Sequence, residues 1–434
     1  MNSKHTLMIV IFISFFVSSA LAELNIQTWQ TQNGSKVMYV HAPELAMVDI
    51  ELKFDAGSAR ESKQWGLANL TSTLIGTATQ NLTEEQISAQ FNQIGAKFSA
   101  GSGKDSAVIS LRSLTRQAIL EQSLVTLTQV VSQAKFKQHI FERELAILVL
   151  GLKQAKTQPK SLSTKAMWQG LYGEHPYAHS SLGELETVKK LTINDLKKFY
   201  QTFYVASNAQ VSIVGNVDLA QAKKIAERIT STLPIGNKPG KIATPASLVQ
   251  AKTQKIDFDS SQTHYSLSQI GVERGHQDYV PLYVGNHILG GSGFNSLLME
   301  EVRSKRGLTY GVYSYFSAMK VAGPFIISLS TKNSSAKEAD EVVKKILADF
   351  SNDFSDEKLQ AIKDNLIGGF PLRMNSNSKI LGYISLIGFY NLPLTYLTDF
   401  PKKIEQVTKK DILKAWNKQI KPNKMLTIML GKST

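Results

Sequence analysis

The chain of 434 residues contains no cysteine, which excludes both a disulfide framework and a lipid-modified cysteine behind a leader. Proline is scarce, at 12 residues, and the hydrophobic fraction is 42%, a globular composition long enough for two or more domains. Acid is also short: 49 Lys and Arg stand against 35 Asp and Glu, a formal net charge of +14. A basic balance of this size can serve nucleic acid, anionic membrane or acidic ligands. Here the lysines are scattered through helical patterns such as KKLTINDLKKFY and DEVVKKILADF. No Arg/Lys run alternates with aromatics, so a nucleic-acid groove is not expected and the charge reads as a solvated basic surface. Past the first 22 residues no stretch is long and apolar enough to span a bilayer.

Those first residues stand apart. MNSKHT carries Lys4, LMIVIFISFFVSSALA is apolar, and Ala20-Leu21-Ala22 forms a small-residue cleavage pattern before Glu23. The apolar stretch is short against the roughly 20 residues of a span. Residues 1–22 therefore read as a secretory signal peptide, with a retained anchor as the other reading. The expectation is export across the inner membrane to the periplasm, with no stable membrane anchor after cleavage.

Two segments repeat. LTINDLKKFYQTFYVASNAQVSIVG (191–215) and VTKKDILKAWNKQIKPNKMLTIMLG (407–431) align without a gap, matching Thr192 with Thr408, Asp195 with Asp411, Tyr200 with Trp416 and Gly215 with Gly431. Each reads as a Thr N-cap, an acid in the first turn, an amphipathic helix and an alternating strand ending in Gly. VDIELKFDAGS (48–58) and HYSLSQIGVERG (264–275) are a second pair of alternating strands, each followed by a helix. Self-similarity on this scale means duplicated domains, since solenoid periods are far shorter. The boundary falls in PIGNKPGKIATPAS (234–247). The expected organisation is a domain at 23–235, a linker at 236–250 and a domain at 251–434. Each is expected to be α+β, a largely antiparallel sheet covered by helices.

GLANLTSTLIGT (66–77) is a short amphipathic helix pattern with Leu67, Leu70 and Leu74 on one face and Asn69, Ser72 and Thr73 beside it. The longer stretch FDAGSARESKQWGLANLTSTLIGT resembles the first-domain signature of the pitrilysin-type zinc peptidases, which include mitochondrial processing peptidase and insulin-degrading enzyme. YGEHPYAHSSLGELETVKKLT, SNAQVSIVGNVD and LGGSGFNSLLMEEVRSKRGLTYGVYS extend the resemblance over essentially the whole chain after residue 22. The resemblance implies two homologous domains joined as a half-clamshell. It also implies an inverted zinc motif, H-x-x-E-H, on the quoted helix: two imidazoles at i and i+4 grip Zn²⁺, and the Glu acts as general base. This chain has Asn69, Ser72 and Thr73 there, and none can do that work. A third ligand, Glu, is implied on the helix of FERELAILVLGLKQ (141–154), where Val149, Leu150 and Gly151 stand; Glu142 and Glu144 lie nearer the helix start, where acids favour the dipole. His175 and His179 flank Pro176, which argues against a helical ligand pair. No metal or cofactor is expected in this chain.

In EVRSKRGLTYG (301–311) the resemblance assigns Arg303 and Tyr310 to a pair that faces the zinc, holds the substrate backbone and supports the oxyanion. From residue types alone, Arg303 reads as solvated and Tyr310 as a half-buried strand aromatic. Arg306 reads as a surface charge, and LGGSGFNSLL (289–298) as a tightly packed glycine turn without P-loop spacing. A chain with the Arg/Tyr pair and no zinc motif resembles the non-catalytic subunit of a heterodimeric zinc peptidase. The implied partners are a family member with an intact H-x-x-E-H, which brings the zinc, and a peptide or unfolded protein substrate. The alternative is a stand-alone peptide-binding or scaffold protein.

Overall fold

The computed structural model describes residues 24–350 and 354–433, so the expected leader lies outside the described residues. Alternating segments become strands and 3.6-periodic segments become helices. The first half runs β1 (Gln27–Gln30), β2 (Lys36–His41), β3 (Met47–Phe54), α1 (Leu67–Leu74), α2 (Glu84–Gln93), β4 (Lys97–Ser102) and β5 (Ala107–Leu114). It continues through α3 (Gln117–Ser132), α4 (Gln138–Ala155), α5 (Pro159–Tyr172), α6 (Leu185–Val188), α7 (Ile193–Phe203), β6 (Ala209–Gly215) and α8 (Leu219–Thr230). The second half opens with β7 (Lys252–Asp257), β8 (Gln262–Ile270), α9 (Tyr279–Asn286), β9 (Thr309–Phe316) and β10 (Pro324–Lys332). It closes with α10 (Ala336–Asp349), α11 (Asp356–Gly368), α12 (Asn377–Phe389), α13 (Tyr396–Gln406), α14 (Lys409–Gln419) and β11 (Leu426–Gly431). Between α8 and β7 the chain forms no helix or strand.

The two sheets have one plan. Their orders are β1-β2-β6-β3-β5-β4 and β7-β11-β8-β10-β9, so the second repeats the first without β1. Each holds one parallel pair, β2 with β6 and β7 with β11, in an otherwise antiparallel arrangement. The matching segments 191–215 and 407–431 become α7–β6 and α14–β11. Thr192 and Thr408 each cap their helix, accepting from the N–H of Asp195 (3.3 Å) and Asp411 (3.2 Å). Those carboxylates answer to the Thr N–H at 2.8 and 3.0 Å, a reciprocal box in both copies. Tyr200 and Trp416, at corresponding points of these helices, are both buried.

One face of the first sheet packs α1, α3, α7 and α8 around a core that includes Ile50, Leu52, Leu70, Leu127, Leu196 and Ile213. Its other face is covered by a helix of the second half. Met38, Val40 and Val214 point away from their own domain's core and join Ile380, Ile384 and Ile387 of α12. The exchange is mutual: Met167 and Leu171 of α5 pack on Ile326, Leu426 and Ile428 of the second sheet. Burying each such side chain is worth roughly 1.5–3 kcal/mol. The central strand β6 is therefore buried at every position, which explains its nearly continuous apolar run.

The covering helices come closest at two glycines. A Cβ on Gly170 of α5 would stand 2.6 Å from Leu426 Cδ2, and one on Gly388 of α12 would stand 2.6 Å from Gln210. Gln210 and Leu426 correspond in the repeat, so both helices are admitted at one point of the sheet plan. Polar bonds fix α12 there: Gln210 Nε2 donates to Ser385 O at 3.0 Å and Lys36 Nζ to Gly388 O at 3.0 Å.

Within α12, a Cβ added to Gly382 would meet nothing within 4 Å. Gly382→Ala should therefore raise stability by up to about 1 kcal/mol through helix propensity. Gly388→Ala should lower it by about 1–3 kcal/mol, because overpacking against Gln210 exceeds that gain. Urea denaturation of both variants checks the opposite signs.

Candidate functional site

The helix α1 forms where the sequence pattern put it, with Leu67, Leu70 and Leu74 buried. Its N-cap is Gly66 at φ +99°, a conformation open to glycine. No side chain at Gly66 caps it; the cap comes from Glu61, whose carboxylate accepts from the N–H of Gly66 at 3.0 Å and of Ala68 at 2.6 Å. His179 Nε2 lies 3.2 Å from Glu61 Oε2 and 3.2 Å from Ser58 O. Carboxylate and carbonyl both accept, so the proton is assigned to Nε2. Burial raises the Glu61 carboxyl above its ordinary range, opposed by the His179 and backbone hydrogen bonds. Trp65 stacks on the His179 ring, centroids 5.0 Å apart. His179 is thus a buried brace for α1. His175 turns elsewhere, its Nε2 2.8 Å from Ala243 O.

Lys104 completes this support. It donates to Tyr177 O at 3.0 Å and His179 O at 2.6 Å, and its ammonium lies 4.3 Å from the Trp168 ring centroid. Burial brings its pKa down to about 8. Neither Glu61 nor Lys104 stands out in the sequence. Glu61 lies five residues before the helix cap, outside the short spacing that signals a capping box.

On the next face of α1, Asn69 is half-buried, Ser72 is buried and Thr73 is exposed. Ser72 Oγ donates back to Asn69 O at 2.9 Å, turning its hydroxyl into the helix. α4 packs against α1, and its span around the implied third ligand carries half-buried Val149 and exposed Leu150. Glu142 accepts from Gln138 at 2.8 Å, and Glu144 pairs with Arg143 at 2.7 Å, both on the surface. The donor set does not fit a zinc ion: it offers a carboxamide, two hydroxyls and an alkyl side chain, with no imidazole and no carboxylate. Among the described residues, no three His, Cys, Asp or Glu side chains converge.

The second half presents Arg303 and Tyr310 at the two ends of one turn. The chain leading to them widens twice: Ser292 N–H bonds His287 O and Lys305 N–H bonds Glu300 O, i to i−5 closures at 3.2 and 2.9 Å. Such π-type turns cluster at functional sites, and nothing in local composition announces them. Gly290, inside the first, is tightly packed, since a Cβ there would stand 2.5 Å from Ser314 Oγ. Arg303 emerges from the second turn and stacks over Phe294 at 4.6 Å. Tyr310 opens the edge strand β9 where its register with β10 shifts between Leu329 and Thr331. That bulge turns the ring outward: Tyr310 is 90% exposed, not half-buried as its residue type suggested. Arg306 pairs with Glu301 as a surface charge.

Comparison with known proteins agrees with this geometry. Residues 36–184 match the profile of insulinase, peptidase family M16, and residues 190–366 that of the peptidase M16 inactive domain. A solved M16 inactive-domain protein from Pseudomonas fluorescens is 36% identical, with a TM-score of 0.92 over 95% of this chain and 98% of that one. A non-peptidase homolog from Helicobacter pylori is 25% identical over 89% of each chain. The beta subunit of the mitochondrial-processing peptidase of Saccharomyces cerevisiae is 20% identical over 94% of this chain and 91% of its own. With both halves matched in succession and the metal residues replaced, the chain belongs to the M16 peptidase family as an inactive homologue.

Proposed function

We propose that this protein is the non-catalytic subunit of a heterodimeric, exported zinc peptidase, completing the site of a partner chain that carries the intact H-x-x-E-H. The observation that carries the reading is the contrast between the two halves. The zinc positions carry no imidazole and no carboxylate, and Ser72 turns its hydroxyl into a local bond, whereas Tyr310 is 90% exposed and free of side-chain hydrogen bonds among the described residues. A surface phenol held out by a strand bulge has a use when a second molecule brings the reacting carbonyl to it. In that complex the partner supplies the metal chemistry. Arg303, with its planar fork of donors, orients the peptide backbone, and the Tyr310 hydroxyl donates to the oxygen on which negative charge develops. The stand-alone peptide-binding scaffold is the second reading, and it has no need of the oxyanion donor. Export to the periplasm belongs to the same proposal and rests on the N-terminal 22 residues.

Two measurements test it. The purified chain, chelated and then reloaded, should hold well under one Zn²⁺ per chain by metal analysis. Asn69→His, Ser72→Glu and Thr73→His together should not create a chelator-sensitive peptidase, because α4 still has no carboxylate around Val149 to Gly151, where the third ligand is implied. One tightly held zinc in the unaltered chain would reject the reading.

With the partner present and an unstructured peptide as substrate, Tyr310→Phe should lower kcat on the order of 10²–10³, with a smaller effect on KM. Arg303→Ala should also raise KM. Gel filtration should show assembly intact in both. Unaltered turnover in both variants would leave the scaffold reading in its place.

A further inference from the structure

Tyr310 does not stand alone. Beside it a groove of about 480 Å³ runs between α5 and the free part of the second sheet. All three exposed tyrosines of β9 line it: Tyr310, Tyr313 at 52% and Tyr315 at 46% exposure. Its floor is the sheet face that α5 leaves uncovered, with His264 and Ser266 on β8; its wall carries Lys160, on the first turn of α5.

Two observations give this groove a chemical preference. First, Lys160 has no ion pair among the described residues, although it stands by the N-terminal end of α5, where the helix dipole adds positive potential. Its field reaches His264, whose pKa is lowered by burial and then by Lys160. Second, the Ser266 hydroxyl is buried without a hydrogen-bond partner among the described residues, in a residue only 7% exposed.

The corresponding groove on the first sheet supplies the contrast. There Asp49 holds Arg112 at 2.6 Å, and Glu51, which takes Lys53 at 3.2 Å, adds a second carboxylate to the lining. The first groove is thus lined by acids, Asp49, Glu51 and Glu84, whereas among the described residues no Asp or Glu lines the second.

We infer that the groove between α5 and β9 receives a peptide segment bearing carboxylate side chains, placed by Lys160 and packed against Tyr313 and Tyr315. The inference deepens the proposed function by naming the peptide chemistry, and rests on it only in taking Tyr310 as the point where that peptide reaches the shared site. The overall charge of +14 favours the approach of such a segment from a distance.

The test uses the whole chain without any partner and reads binding directly. Fluorescein-labelled GGAEEAAGG and its amide twin GGAQQAAGG are titrated at low salt and followed by anisotropy. The acidic peptide should bind about two- to fivefold tighter, the range of an exposed ion pair. Lys160→Met should erase that preference and leave the amide peptide unchanged. Ser266→Ala should weaken the acidic peptide while the fold stays intact by thermal melt. Lys156→Met, whose ammonium already faces Glu186 at 3.5 Å, should leave both affinities as they were. Equal binding of the two peptides, or a preference that survives Lys160→Met, overturns the inference. Neither result touches the kcat effect of Tyr310→Phe in the complex, so the two proposals fail separately.

Discussion

Each domain of this protein leaves one face of its sheet unfinished, and the other domain finishes it. α12 lies over β2, β6 and β3, and α5 over β11 and β8. Much else follows from this exchange. It buries the central strands on both sides and seats glycines where each helix meets the sheet. It also brings the polar groups of the contact together: Lys320 N–H and Tyr390 OH, from the second half, donate to Asp105 at 2.9 and 3.0 Å. Asp55 is held between Arg60 of its own domain, at 2.7 Å, and the Lys320 ammonium from across the contact. The grooves beside β4 and beside β9 are what remains of the two sheets after the exchanged helices have taken their share.

The inactive helix illustrates how a fold outlives its chemistry. A zinc helix needs its ligands and also needs to be held still. The holding groups are separate from the ligands: Glu61 caps the helix, His179 supports Glu61, and Trp65 and Lys104 hold His179 and its loop. Replacing the ligand positions with Asn69, Ser72 and Thr73 leaves every one of these contacts in place. The cap is a buried carboxyl with its donors provided, and removing it would leave the N–H groups of Gly66 and Ala68 without their partner.

Local signals were legible in the sequence. The capping boxes at Thr192 and Thr408, the buried Leu67, Leu70 and Leu74 and the missing zinc residues of α1 depend on spacing within one or two turns, and the duplication on matching two segments of the sequence. What escaped depends on distant partners. Met38 and Val40 read as strand residues, yet nothing nearby says that α12, more than 330 residues later, covers them. Glu61 is legible only with His179 beside it. The outward turn of Tyr310 comes from a register shift against β10, so its residue type misreads its exposure.

The helix exchange also has a temporal side. During synthesis the whole first domain, through α8, is complete about 160 residues before the end of α12 is made. At roughly 5–20 residues per second, its outer sheet face waits some 10 to 30 s for cover. Throughout that interval Met38, Val40 and Val214 form an apolar strip without the helix that covers it in the finished protein.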